Sequence, residues 1–87
     1  MKSENNLTIT GIVASDIRFN RRHTVARFCL VHNFGSGKDP LFLDCVLILK
    51  NLPGQPVPQK GNQVRIRAYI QMYDGHLEAV VKTLMIE

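Results

Sequence analysis

Eighty-seven residues make one domain, 1–87, and leave no room for a second lobe or for the larger folds that enclose a cofactor, so none is expected. Hydrophobic residues at 45% reach the ordinary globular level, although a domain this short buries only about 60–65% of its unfolded surface. Eleven Lys and Arg against seven Asp and Glu give a formal +4, which favours polyanionic partners. No run approaches the ~20 apolar residues of a membrane span, and no secretory signal opens the chain, so a cytoplasmic protein without membrane attachment is expected.

The segment Asn6–Val13 alternates polar and apolar residues with the two-residue period of a half-buried strand, Leu7, Ile9 and Val13 facing inward. Gly11 interrupts that face, and a glycine inside a strand marks a bend where a sheet curls. His23–Phe34 reads as the second strand, with Ala26, Phe28, Leu30 and His32 on one face and Val25, Arg27, Cys29, Val31 and Asn33 on the other. Gly35–Pro40 closes it, and Leu41–Lys50 follows as a nearly continuous apolar strand. Pro53, Pro56 and Pro58 rule out a regular helix over residues 51–61, which reads as an extended connection. Asn62–Met72 alternates most cleanly of all. Asp74-Gly75 suits a two-residue type I′ turn, and the last strand returns over His76–Ile86. Five short strands with little or no helix predict an all-β, antiparallel Greek-key barrel, of the oligonucleotide-binding or SH3-like kind.

Charge along the chain is segregated. Between Asp16 and Asp39 there is no acid, while Arg18, Arg21, Arg22, Arg27 and Lys38 fall in that stretch; between Cys45 and Tyr73 the only charges are Lys50, Lys60, Arg65 and Arg67. The outer face of the fourth strand alternates Arg65, Arg67, Tyr69, Gln71 and Tyr73, a mixture that suits unpaired nucleic acid: cations neutralise phosphates and aromatic faces accept bases, worth about 1–3 kcal/mol per stacked base. The same residues would also serve as ordinary β formers on a solvated face. Arg18, Arg21 and Arg22 occupy the loop between the first two strands and Lys38 the next hairpin. Phe34 and Phe42 border that hairpin and add stacking platforms if they point outward rather than into the core.

Catalytic constellations are missing from the pattern. His23, His32 and His76 are scattered without metal-ligand spacing, Cys29 and Cys45 form no Cys-x-x-Cys, and Gly-Ser-Gly-Lys lacks the spacing of a phosphate-binding loop. Neither an enzyme nor a metal site is expected.

Three segments carry a family resemblance. Asn6–Val13 is similar to the opening Asn-x-apolar-x-apolar-x-Gly-x-apolar strand of the bacterial single-stranded DNA-binding proteins, including their primosomal replication branch. Ala26-Arg27-Phe28-Cys29-Leu30 resembles their Ala-x-Phe-x-Leu strand, and Lys60-Gly61-Asn62-Gln63-Val64 their Lys-Gly-x-x-Val entry to the fourth strand. The resemblance implies a five-stranded oligonucleotide-binding barrel that holds single-stranded DNA as a homodimer or homotetramer. It places Phe42 at a stacking position and Arg27, Arg65 and Tyr69 on the strand faces that meet DNA. The sequence departs from the pattern in having no Trp, in Asp44 where a basic residue is usual, in Ile48 at an often aromatic position, and in the Pro-rich segment that stands for a helix. No acidic partner-recruiting tail is expected. RNA in place of DNA, and a protein-interaction module docking a replication partner, stay open as alternatives. Outward Ile12, Val46, Ile48 and Val80 suggest a face covered by another copy.

Overall fold

A computed structural model describes residues 4–51 and 57–87. Its strands are β1 (Leu7–Val13), β2 (Arg18–Phe19), β3 (Val25–His32), β4 (Leu41–Ile48), β5 (Gln63–Tyr73) and β6 (His76–Ile86), with one 3₁₀ turn at Leu49–Asn51. The sheet runs β1-β5-β6-β4-β3-β2, and pairing of β1 with β3 closes the first five into a barrel. This is the expected five-stranded architecture, with β2 as an addition on the free side of β3.

Two details depart from the expectation. The segment Arg18–Phe19, read as open loop, pairs with Arg27 and Ala26 because Asn20 builds a tight turn behind it. The Asn20 side-chain oxygen accepts from the amides of Thr24 (2.8 Å) and Val25 (3.0 Å), and its amide donates to the Thr24 hydroxyl. The barrel is also not wholly antiparallel: β4 and β6 run parallel, Cys45 opposite Ala79 and Val46 opposite Val80. A closed barrel in which β5 returns beside β1 leaves β6 no other orientation against β4.

Alternation puts Val13, Ala26, Phe28, Leu30, Leu43, Cys45, Leu47, Val64, Ile66, Ala68, Ala79, Val81 and Leu84 in one interior. Full burial of a side chain such as Phe28 or Leu30 contributes about 1.5–3 kcal/mol. Gly11 stands where β1 passes from β5, through Gly11–Val64, to β3, through Ile12–Val31. A Cβ there would collide with the Val31 carbonyl, which is why the curl needs glycine. Asp74 and Gly75 both have positive φ (52° and 79°), as a type I′ hairpin requires. The extended connection read over 51–61 lies partly outside the described residues; at its end Pro58 is buried and Gly61 donates to the Val13 carbonyl at 2.8 Å. Among the described residues no helix is long and apolar enough to cross a membrane, and no cluster of three His, Cys, Asp or Glu is placed to hold a metal ion.

Candidate nucleic-acid interface

Strand register assembles the outer face. Arg18 on β2 lies opposite Arg27 on β3, Arg27 opposite Val46 on β4, Val46 opposite Val80 on β6, and Val80 opposite Tyr69 on β5. One cross-strand row therefore begins with two guanidinium groups and ends with an aromatic ring. Val46 and Val80, at its centre, are only 4% and 3% exposed. The expectation that both need a second copy to cover them is corrected: the chain covers them itself, with Arg27 and Tyr69 flanking them in the row. Ile48 is half-buried and Ile12 stays 45% exposed.

Above this row lies a polar network that the sequence did not reveal. Glu78 on β6 is a buried carboxylate, 6% exposed, bonded to Arg27 Nε at 3.2 Å and to Gln71 Nε2 at 3.3 Å. Tyr73 places its ring 5.2 Å from the Arg27 guanidinium carbon, a cation–π distance. Lys82 sits 5.7 Å from the Tyr69 ring and donates to Asn6 at 3.1 Å. Lys82 reaches this spot because it is the extra residue of a bulge, where Arg67 faces Thr83 but Ala68 faces Val81.

The remaining expected residues lie around this centre. Arg65 and Arg67 continue the outer row of β5 and are exposed, flanked by Thr10 and Thr8 of β1 and by Met85 and Thr83 of β6, all uncharged. Arg21 and Arg22 are exposed in the β2–β3 turn beside a stacked pair, Phe19 and His23, whose centroids lie 5.2 Å apart at 16°. Lys38 is exposed at the β3–β4 hairpin, and Phe42 at its base points outward opposite Val31, 65% exposed. Among the described residues the one ion pair is Arg27–Glu78, so the other described cations face solvent or neutral groups.

At the other side of β1 the barrel opens, because β1 pairs with β3 only at Ile12 and Val13. A groove of about 410 Å³ results, lined by Leu7, Ile9, His32, Phe34, Leu41 and Arg65 among others. His32 Nδ1 lies 2.6 Å from the Thr10 carbonyl, which can only accept, so this nitrogen carries the proton; Phe34 packs edge-on against the ring at 4.8 Å.

The two thiols are inert features of this surface and its interior. Burial, then the neighbouring Asp44, push the half-buried Cys29 up from its ordinary value. Burial, with smaller contributions from Cys29 and Asp44, pushes the interior Cys45 up to about 12. Neither has the lowered pKa of a reactive cysteine.

No protein-family model matches the sequence, and no curated protein does either. Solved structures do match the fold. The N-terminal domain of PriB from Thermoanaerobacter tencongensis, solved as a dimeric structure, superposes with a TM-score of 0.77 at 16% identity over 95% of this chain and 96% of that one. The mitochondrial single-stranded DNA-binding protein Rim1 of S. cerevisiae gives 0.75 at 15% over 98% and 95%. The second single-stranded DNA-binding protein of Mycobacterium smegmatis gives 0.76 at 12% over 98% and 90%. The resemblance read in three short strand motifs is thus matched by the whole fold, an oligonucleotide-binding barrel like those of the single-stranded DNA-binding and PriB proteins.

Proposed function

We propose that this protein binds single-stranded DNA, largely without sequence preference, across the outer face of its barrel, in replication, replication restart or recombination. The observation that carries the reading is an outer face that displays cations with no acidic partner among the described residues together with aromatic rings, Phe42 and Tyr73 exposed and Tyr69 half-buried. Arg18, Arg21, Arg22, Lys38, Arg65 and Arg67 supply charge for phosphates, while Phe42, Tyr69 and Tyr73 supply ring faces for bases. Arg27 serves through its terminal nitrogens, its Nε being engaged by Glu78. The names of the structural neighbours support this reading.

Titration of labelled oligo(dT) at two salt concentrations tests it. Binding is expected with log K falling about 0.7 per phosphate neutralised for each log unit of salt. No binding at low salt, or binding insensitive to salt, overturns the proposal. Competition with a matched RNA oligomer reads the sugar preference, which stacking alone does not set.

A homodimer or homotetramer is proposed on a second observation: β1 leaves its edge toward β3 unpaired over residues 7–9, just before the exposed, outward Ile12. A monomeric mass in sedimentation at micromolar concentration refutes it. The same edge supports docking of a replication partner as the alternative role. Changing Arg65 and Arg67 to Glu separates the two, since partner docking survives and DNA binding does not.

A further inference from the structure

We infer that Glu78, an acid on a face proposed to meet phosphate, strengthens nucleic-acid binding by holding the Arg27 guanidinium in a fixed orientation, so that Arg27 and Arg18 act together as a phosphate clamp. The inference rests on the single-stranded DNA reading and deepens it.

Arg18 and Arg27 stand directly opposite each other across an antiparallel pair. Like charges in that relation repel, and Arg18 has no acidic partner among the described residues. A phosphate between or above the two groups relieves that repulsion. Arg27 is held on two sides: its Nε bonds Glu78 Oε2 at 3.2 Å, and one face of its guanidinium lies over the Tyr73 ring at 5.2 Å. Gln71 fixes the other carboxylate oxygen at 3.3 Å. The two terminal nitrogens of Arg27 make no hydrogen bond among the described residues, and they form the planar fork that matches a phosphate bidentately. Net stabilisation from a buried ion pair is small, so the larger effect of Glu78 is on geometry: it removes the rotamer freedom that a long cation otherwise loses on binding.

Two physical readings of Glu78 give opposite signs. If it acts only as a negative charge near phosphate, its neutralisation tightens binding. If it positions Arg27, neutralisation weakens binding. The test titrates wild type, Glu78→Gln, Arg27→Gln and the double variant with oligo(dT) and with inorganic tripolyphosphate at low salt. The thermal midpoint and the Arg27 Nε–Hε resonance are followed alongside. Glu78→Gln is expected to weaken oligo(dT) binding about three- to tenfold and to lose the protected Hε resonance, while adding nothing in the Arg27→Gln background. Arg27→Lys, which keeps the charge and forfeits the fork, is expected to lose affinity to a similar extent and gives the answer if Glu78→Gln does not fold. Equal or tighter binding by Glu78→Gln, or unchanged binding by Arg27→Lys, overturns the inference and leaves the DNA reading standing. Wild type that binds neither oligo(dT) nor tripolyphosphate removes both.

Discussion

The two halves of the β5 outer row differ both in their side chains, Arg65 and Arg67 against Tyr69, Gln71 and Tyr73, and in their electrostatic surroundings. Arg65 and Arg67 have threonines and a methionine as cross-strand neighbours, and among the described residues their guanidinium groups make no ion pair. Further along the row, Gln71 and Tyr73 belong to a network in which a buried carboxylate, an arginine, an amide and a ring fix one another, while the Tyr69 ring lies beside Lys82. One half is a field of exposed charge that attracts phosphate at a distance; the other is a preset contact. The difference lies in β5 itself, where arginine gives way to tyrosine and glutamine, and in Glu78 of β6 and Arg27 of β3, which engage only the second half.

The largest consequence is for stability. Arg27→Ala leaves the Glu78 carboxylate buried without its ion-pair partner, which is expected to cost about 2–3 kcal/mol, below the ~3–5 kcal/mol of a fully buried pair because Arg27 is itself partly exposed. For a domain of this size that lowers the thermal midpoint by roughly 4–8 °C per kcal/mol. Arg65→Ala is expected to change stability by no more than about 0.5 kcal/mol. Thermal melts of the two variants side by side check the contrast, and equal losses would erase it.

Affinity is expected to divide differently. Phe42 is exposed and makes no cation–π contact among the described residues, so Phe42→Ala is expected to cost about 1–3 kcal/mol of oligo(dT) binding with its melt unchanged. Tyr73 already spends one ring face on Arg27, so Tyr73→Ala is expected to lower both affinity and stability. Next in size, Arg65→Gln with Arg67→Gln is expected to reduce the salt slope of binding by about 1.4, at 0.7 per phosphate contact, and to leave the melt in place. A pair of slopes measured over the same salt range decides that.

How much of this could be read from the chain follows the same division. The bounds of β1, β5 and β6 are legible to within a residue, and so are the faces of β5, which alternates over Val64, Ile66 and Ala68, and of β1 up to Gly11. The turn at Asp74-Gly75 is equally plain. β6 buries Glu78, Ala79, Val80 and Val81 in succession before its bulge, so its faces are not legible. β2 was not legible, since two residues have no period and its pairing depends on three hydrogen bonds at the Asn20 side chain, two accepted and one donated. Glu78 escaped for a different reason. In sequence it is one of the acids toward the chain end, and only the parallel β4–β6 register, between residues more than thirty apart, carries it to Arg27. Single-strand patterns tell which side chains point outward; which of them neutralise each other is decided by non-local pairing, which leaves no local trace.

The two cysteines extend the comparison between face and interior to the smallest expected effect. They lie on β3 and β4, where Cys29 faces Asp44 and Phe28 faces Cys45, so one thiol points outward and the other into the core. Burial holds the Cys45 thiol protonated up to about 12, against an ordinary value of 9.0 that it regains on unfolding. The folded chain therefore keeps a proton that the unfolded chain releases between about pH 9 and pH 12. This contribution to stability is complete below pH 9 and is lost as pH rises through that window, by at most about 1.4 kcal/mol per pH unit. Denaturant melts of wild type and Cys45→Ala at pH 8.5 and pH 10.5 isolate it, because titrations common to both proteins cancel in the difference. The wild-type advantage is expected to shrink by about 1–2 kcal/mol between the two pH values. The same comparison with Cys29→Ala is expected to show a smaller change, since that thiol is only half-buried; a larger one would place the desolvated thiol on the outer face and not in the core.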